Sequence, residues 1–247
     1  MRKFTAIIVM TLMLFGCAQT DSNITFGPGD GITGVAGSTS RFIVKNGYLY
    51  IATDTRLKVI AINAEDGGEE VASVASPEDL ETLFSYGDYL FLGGSGSVQV
   101  YSIQDPASPK YLTRYYHQTG CDPVIATQNF AYLTIRDGAT CSNRGGNMLI
   151  PLDISDINDP VATDTIDMIR PRGLAMFDGS LYVGEGIYGL KKFDLTVPHH
   201  PALDTFYQEI PTNDLIGLES QLIITANDGV SQYELDENML NLISTIQ

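Results

Sequence analysis

A segment of about 41 residues recurs five times along this chain, and that recurrence constrains the fold more than any local signal. Its clearest piece is a tight turn followed by a short apolar strand: Asn46-Gly47-Tyr48-Leu49-Tyr50-Ile51, Gly87-Asp88-Tyr89-Leu90-Phe91-Leu92, Gln128-Asn129-Phe130-Ala131-Tyr132-Leu133, Asp178-Gly179-Ser180-Leu181-Tyr182-Val183 and Glu219-Ser220-Gln221-Leu222-Ile223-Ile224. With Leu49, Leu90, Ala131, Leu181 and Leu222 as equivalent positions, the spacings are 41, 41, 50 and 41 residues. A unit of this length cannot bury both of its faces alone, so neighbouring units must stack on one another.

Asn-Gly and Asp-Gly between apolar runs predict hairpins, because both turn residues must tolerate positive φ. Each repeat therefore opens with two antiparallel strands, A and B. A third, C, follows at residues 57–62, 98–103, 148–154, 190–195 and 230–235, and after a polar or proline-rich turn comes a fourth, D, as at residues 110–116 or 202–208. Four short strands in about 41 residues are the dimensions of a propeller blade, and no stretch after the N-terminus shows sustained helical periodicity. The expected fold is all-β, a β-propeller of five four-stranded blades spanning residues 32–247, with repeats at about 40–76, 80–116, 121–168, 171–208 and 212–247. Residues 32–39 read as a strand D with no preceding repeat. They are expected either to close the ring by pairing in the last blade or to add an edge strand, and an open edge would invite aggregation.

The C-to-D segments Ser102-Ile103-Gln104-Asp105-Pro106-Ala107-Ser108-Pro109, Leu152-Asp153-Ile154-Ser155-Asp156-Ile157-Asn158-Asp159-Pro160 and Phe193-Asp194-Leu195-Thr196-Val197-Pro198-His199-His200-Pro201 resemble the LVIVD repeat, in which strand C runs into an Asp-Ile-Ser-Asp-Pro-like turn. The resemblance weakens in the first repeat, where residues 63–70 lack the prolines, and in the last, where Leu235-Asp236-Glu237-Asn238 is shortened.

The N-terminus sets the expected compartment. Arg2 and Lys3 precede a twelve-residue apolar run, Phe4 to Phe15, broken only by Thr5 and Thr11. That is too short to span a bilayer, which needs about 20 residues. It ends in Leu14-Phe15-Gly16-Cys17, which resembles the lipobox of bacterial lipoproteins. The resemblance implies a signal peptide over residues 1–16 and acylation of Cys17. It further implies a tether over residues 17–31 and, with Ala18 rather than aspartate after the cysteine, an outer-membrane location in the cell envelope. An anchor of several acyl chains, at about 0.8 kcal/mol per buried methylene, would be effectively permanent.

Two cysteines then remain, Cys121 and Cys141, an even pair in a chain expected in an oxidising compartment. They are expected to form a disulfide, the alternative being two free buried thiols. The formal net charge of −16 becomes −18 once Arg2 and Lys3 are removed. A surface that negative repels phosphate backbones, which argues against nucleic-acid partners. It leaves cationic partners open, although such a balance commonly serves solubility alone.

In a propeller, strand A lies nearest the axis, and the lead-ins to strand A share a rim with the B-to-C loops. Counting back from the repeat anchors places Arg41, Glu81, Asp122, Arg172 and Asp214 there as a collar of mixed charge. Strand neighbours alternate between faces, so the five need not all converge, and pairing among themselves around a solvated channel is the plainer expectation. The nine extra residues of the third repeat enlarge its B-to-C loop, residues 136–147, adding Arg136, Asp137, Arg144 and Cys141 to the same rim as Cys121.

No Gly-x-Ser-x-Gly, phosphate-loop or His-Glu-x-x-His motif is present, and the three histidines form no metal-binding set. No cofactor is expected, with calcium the one ion that converging axial oxygens could take. The enzymatic alternatives are a glycoside hydrolase using Glu81, Asp122 and Asp214, or a lactonase-like metal-dependent propeller. The first needs two carboxyl groups about 5 to 9.5 Å apart, and the chain has no tryptophan and only short loops from which to build a sugar cleft. The preferred expectation is a non-catalytic scaffold binding an envelope protein or a small ligand.

Overall fold

The computed structural model describes residues 36–63, 67–117, 123–137 and 146–247. Cys17, Cys121, Asp122, Cys141 and Arg144 lie outside these residues, as do the expected signal peptide, tether and disulfide.

The described chain forms five antiparallel sheets, each built from consecutive strands. Blade 1 holds β1 (Phe42–Lys45), β2 (Tyr48–Thr53), β3 (Arg56–Ala61) and β4 (Glu69–Ala75). Blade 2 holds β5 (Leu80–Tyr86), β6 (Tyr89–Gly94), β7 (Ser97–Ser102) and β8 (Lys110–Tyr116). In blade 3, β9 (Val124–Thr127), β10 (Phe130–Ile135) and β11 (Met148–Asp153) are followed by an outer strand split into β12 (Val161–Ala162) and β13 (Ile166–Asp167), both paired with β11. Blade 4 holds β14 (Leu174–Phe177), β15 (Ser180–Gly184), β16 (Leu190–Asp194) and β17 (Ala202–Tyr207). Blade 5 holds β18 (Asp214–Gly217), β19 (Leu222–Ala226), β20 (Gly229–Asp236) and β21 (Met239–Ile246).

The turns are those the sequence demands. Asn46 and Gly47 take φ of 52° and 79°, and Asp178 and Gly179 take 45° and 73°. Paired positive φ of this kind matches the twist of the flanking strands.

The core lies between the blades. Tyr50, Leu57 and Val59 of blade 1 pack on Leu83, Leu92 and Tyr101 of blade 2. Phe91 and Val100 meet Ala126, Leu133 and Ile150 across the next interface, and Tyr132 and Leu149 meet Leu181, Val183 and Phe193 across the third. Tyr182 and Leu190 face Leu215, Leu222 and Ile224 across the fourth.

The central residue of strand B adds a second tie. Tyr50 donates its hydroxyl to the Pro106 carbonyl at 2.9 Å, and Tyr132 donates to Pro198 at 3.1 Å, each reaching the C-to-D turn of the next blade. Burial pushes the Tyr132 phenol up to about 12, so it remains a neutral donor. Tyr182 occupies the same position in blade 4, but the C-to-D turn of blade 5 is only Glu237 and Asn238, and the buried Tyr182 hydroxyl has no partner.

The seam between blades 5 and 1 differs from the other four. The described part of residues 32–39 forms no strand, and β21 alone is the outer strand of blade 5. No core cluster joins blade 5 to blade 1 among the described residues. Leu49 and Ile51 are only half-buried, whereas their equivalents in the other four blades are buried. Ile223 is likewise half-buried where Tyr50, Phe91, Tyr132 and Tyr182 are buried, and Phe42 is 59% exposed. In the described part, Ser38 and Thr39 bond to Asp214 of blade 5, and Ser38 also to Leu174 of blade 4, rather than forming a ladder.

Candidate functional site

The rim predicted from the repeat spacing carries a cavity of about 220 Å³ at the mouth of the axis, more than ten times what one water needs (roughly 10–15 Å³). Thr39 precedes blade 1, Glu81 and Thr82 come from blade 2, and Pro123 and Arg136 from blade 3. Pro171 and Arg172 come from blade 4, and Asn213 from blade 5. Below it, residues further along the inner strands line an apolar axial cavity of about 280 Å³, among them Phe84, Ile125, Leu174 and Leu215. Blade 1 is absent from both walls; residues 36, 38 and 39 stand in its place.

The segment that carries Arg172 is held from three sides. Its backbone N–H donates to the Gly184 carbonyl at 2.8 Å, and its carbonyl accepts the Thr134 hydroxyl of blade 3 at 2.7 Å. Just upstream, the amides of Ile169 and Arg170 donate to the Glu185 carboxylate at 3.1 and 2.5 Å. That carboxylate is fully buried and paired with the Lys191 ammonium at 2.7 Å. Gly186, at φ 61°, completes the support: a Cβ there would stand 2.7 Å from Arg172 Nε, so the backbone can approach the guanidinium only without a side chain.

Arg136 and Arg172 dominate the electrostatics. Burial holds the Arg136 guanidinium below its usual value, repulsion from Arg172 and Arg170 adds to this, and Glu81 opposes it. Among the described residues neither Arg136 nor Arg172 forms an ion pair. Arg172 Nε is buried without a hydrogen-bond partner, although buried donors are normally satisfied.

The collar expected from sequence is only partly assembled. Glu81 and Arg172 line the cavity. Arg41 does not, because its guanidinium turns aside to Asp54 at 3.1 Å and to the Leu80 carbonyl at 2.6 Å. Asp214 is also withdrawn: its carboxylate accepts the hydroxyls of Thr39 and Ser38, and Ser38 in turn accepts the Leu174 amide at 2.8 Å. The adjacent Asn213 lines the cavity instead, as alternation along a strand requires. Of the enlarged loop, Arg136 reaches the cavity, while Asp137 is exposed and its amide donates to the Asn147 side chain at 3.1 Å. Sequence reasoning missed Thr39 and Pro171, because neither belongs to a repeat strand. It also missed Glu185 and Lys191, although Gly184-Glu185-Gly186, where the other repeats run on, was the visible signal.

Burial holds the Asp214 carboxyl above its ordinary 3.8, against the opposing bonds from Thr39 and Ser38. The folded chain therefore takes up this proton at a higher pH than the unfolded chain. The carboxylate costs stability at neutral pH, and the cost disappears as the pH falls through the folded value toward 3.8. Asp214→Asn is expected to keep or raise the urea midpoint near pH 7 and to lessen its change between about pH 4 and 7. A lower midpoint at neutral pH with unchanged pH dependence would contradict this.

Among the described residues no three His, Cys, Asp or Glu side chains are grouped to hold a metal. Nor do the described residues present a carboxylate pair to the cavity: Glu81 lines it, and Asp214 is spent on Ser38 and Thr39.

No family model and no curated protein sequence matches the chain. Solved structures do. A protein from Lactobacillus plantarum is 16% identical over 81% of this chain and 67% of its own, with a TM-score of 0.62. The periplasmic gluconolactonase PpgL of Pseudomonas aeruginosa is 14% identical over 82% and 67%, with a TM-score of 0.60. AztD from Citrobacter koseri is 11% identical over 86% of this chain and 61% of its own, with a TM-score of 0.54. At such identities the likeness is one of fold. With five consecutive four-stranded sheets and these neighbours, the chain is an all-β protein of the five-bladed β-propeller class.

Proposed function

We propose that this chain is a non-catalytic binding module, tethered to the cell envelope through an acylated Cys17, whose ligand seats at the axial mouth on the strand-A rim. The observation that carries the reading is the cavity shared by blades 2 to 5 and Thr39, with two guanidinia at its wall that form no ion pair among the described residues. Such convergence of polar groups from several elements on one concavity is the usual mark of a ligand site. The LVIVD-like turns belong to the other rim, so on this reading they serve as blade connectors.

The competing reading is a hydrolase working through axial carboxylates. A pooled glycoside and lactone turnover assay, run with and without Ca²⁺, separates the two. The expected outcome is no turnover above background. Turnover that Glu81→Gln, Asp122→Asn or Asp214→Asn abolishes would overturn the binding reading.

A further inference from the structure

The mouth and the axial cavity beneath it follow one another along the same strands. Thr82 lines the mouth and Phe84 the channel. The same step of two residues leads from Pro123 to Ile125, from Arg172 to Leu174 and from Asn213 to Leu215. Residues two apart on a strand point to the same face, so blades 2, 4 and 5 each pass from a polar group at the rim to an apolar group deeper on one axis, while blade 3 passes from Pro123 to Ile125.

We infer that the site takes an organic acid, its anionic end between Arg136 and Arg172 and its apolar stem directed down the axis. This rests on the binding reading above and names the chemistry of its ligand.

Three observations carry it. Arg172 lines the cavity and keeps one donor, Nε, buried without a partner, and a carboxylate is the acceptor that a guanidinium fork suits best. Arg136 is desolvated and repelled by Arg172 and Arg170, with Glu81 opposing among the described residues, so an added anion would relieve that repulsion. The walls below the mouth are mainly apolar: Phe84, Ile125, Leu174, Met176 and Leu215 form a surface that suits a stem, beside the few polar groups of Ser38, Tyr86 and Thr127.

The chain's formal charge of −16 does not cancel this attraction. Exposed carboxylates are screened beyond about 8 Å at physiological ionic strength, whereas groups within the cavity are screened far less. The acidic surface slows the approach of an anion more than it weakens the bound state.

The test is isothermal titration of the full chain with acetate, butyrate and hexanoate at fixed ionic strength, with inorganic phosphate as the stemless comparison. Affinity is expected to rise with chain length, by up to about fourfold per methylene buried. Arg172→Gln and Arg136→Gln are each expected to weaken hexanoate binding at least tenfold. Arg172→Lys, which keeps the charge and loses the fork, is expected to fall between. The thermal midpoint of each variant is followed in parallel, so that Arg136→Gln on its loop decides the matter if the Arg172 variants unfold.

Equal affinity for acetate and hexanoate, or phosphate binding as tightly as hexanoate, would overturn the stem. Binding untouched by both arginine variants, or no binding by any of the acids, would overturn the anion site. None of these results produces turnover, so failure here is distinguishable from failure of the binding reading itself.

Discussion

Replacing Glu185 by alanine is expected to cost the fold about 3–5 kcal/mol and to loosen the mouth at the same time. The carboxylate is fully buried, and its removal leaves the Lys191 ammonium, whose side chain is 10% exposed, without its 2.7 Å counterion. What remains around Lys191 is the Met168 sulfur at 3.8 Å and the Phe206 ring at 5.5 Å, which cannot replace a carboxylate. The amides of Ile169 and Arg170 lose their acceptor as well. Glu185→Leu combined with Lys191→Met is expected to recover much of the stability, because replacing both charges avoids the unpaired ion. The double variant does not restore the amide acceptor, so ligand binding at Arg172 should stay impaired. Urea unfolding of the single and double variants checks the first claim, and titration of the double variant checks the second. A single variant as stable as the parent would show that the buried pair contributes nothing to the fold.

Tyr132→Ala is expected to destabilise by a comparable amount, about 3–5 kcal/mol, the usual range for emptying a large buried aromatic site. The ring is fully buried between blades 3 and 4, and its hydroxyl holds Pro198 in the next blade's turn. The repeat supplies its own controls. Tyr50→Phe removes a hydroxyl that bonds Pro106 and should cost about 1 kcal/mol. Tyr182→Phe removes one that is buried without a partner, and should leave stability unchanged or raise it by about 1 kcal/mol. Chemical denaturation of the three variants orders them. Equal losses for Tyr50→Phe and Tyr182→Phe would refute the tie between strand B and the following turn.

Much of this architecture was legible because a propeller writes its blades locally. The spacing of Leu49, Leu90, Ala131, Leu181 and Leu222 located every strand B, and the strand D expected at residues 110–116 is β8 itself. Glu81 and Arg172 were placed at the mouth by counting back from those anchors, and Arg136 by the longer third repeat. Where reading failed, the cause was side-chain contact that repeat spacing does not encode. Asp214 lies 175 residues from Thr39, whose hydroxyl draws it out of the collar. Arg41 was diverted by Asp54, which lies in the B-to-C turn of the same blade. The seam between blades 5 and 1 was illegible for a related reason. Strand content repeats blade by blade, but whether Ile223 meets Leu49 depends on the accumulated angle of all the blades, which no single repeat encodes.

The central claim is that separate blades converge on one arginine-walled mouth where this protein binds. The most direct measurement is the response of the arginine Nε–Hε resonances of the ¹⁵N-arginine-labelled chain to hexanoate. The predicted result is that Arg136 and Arg172 shift together along one saturation curve while Arg41, Arg56 and Arg114 stay in place. Movement of Arg41 with either of them, or separate curves for Arg136 and Arg172, would contradict it.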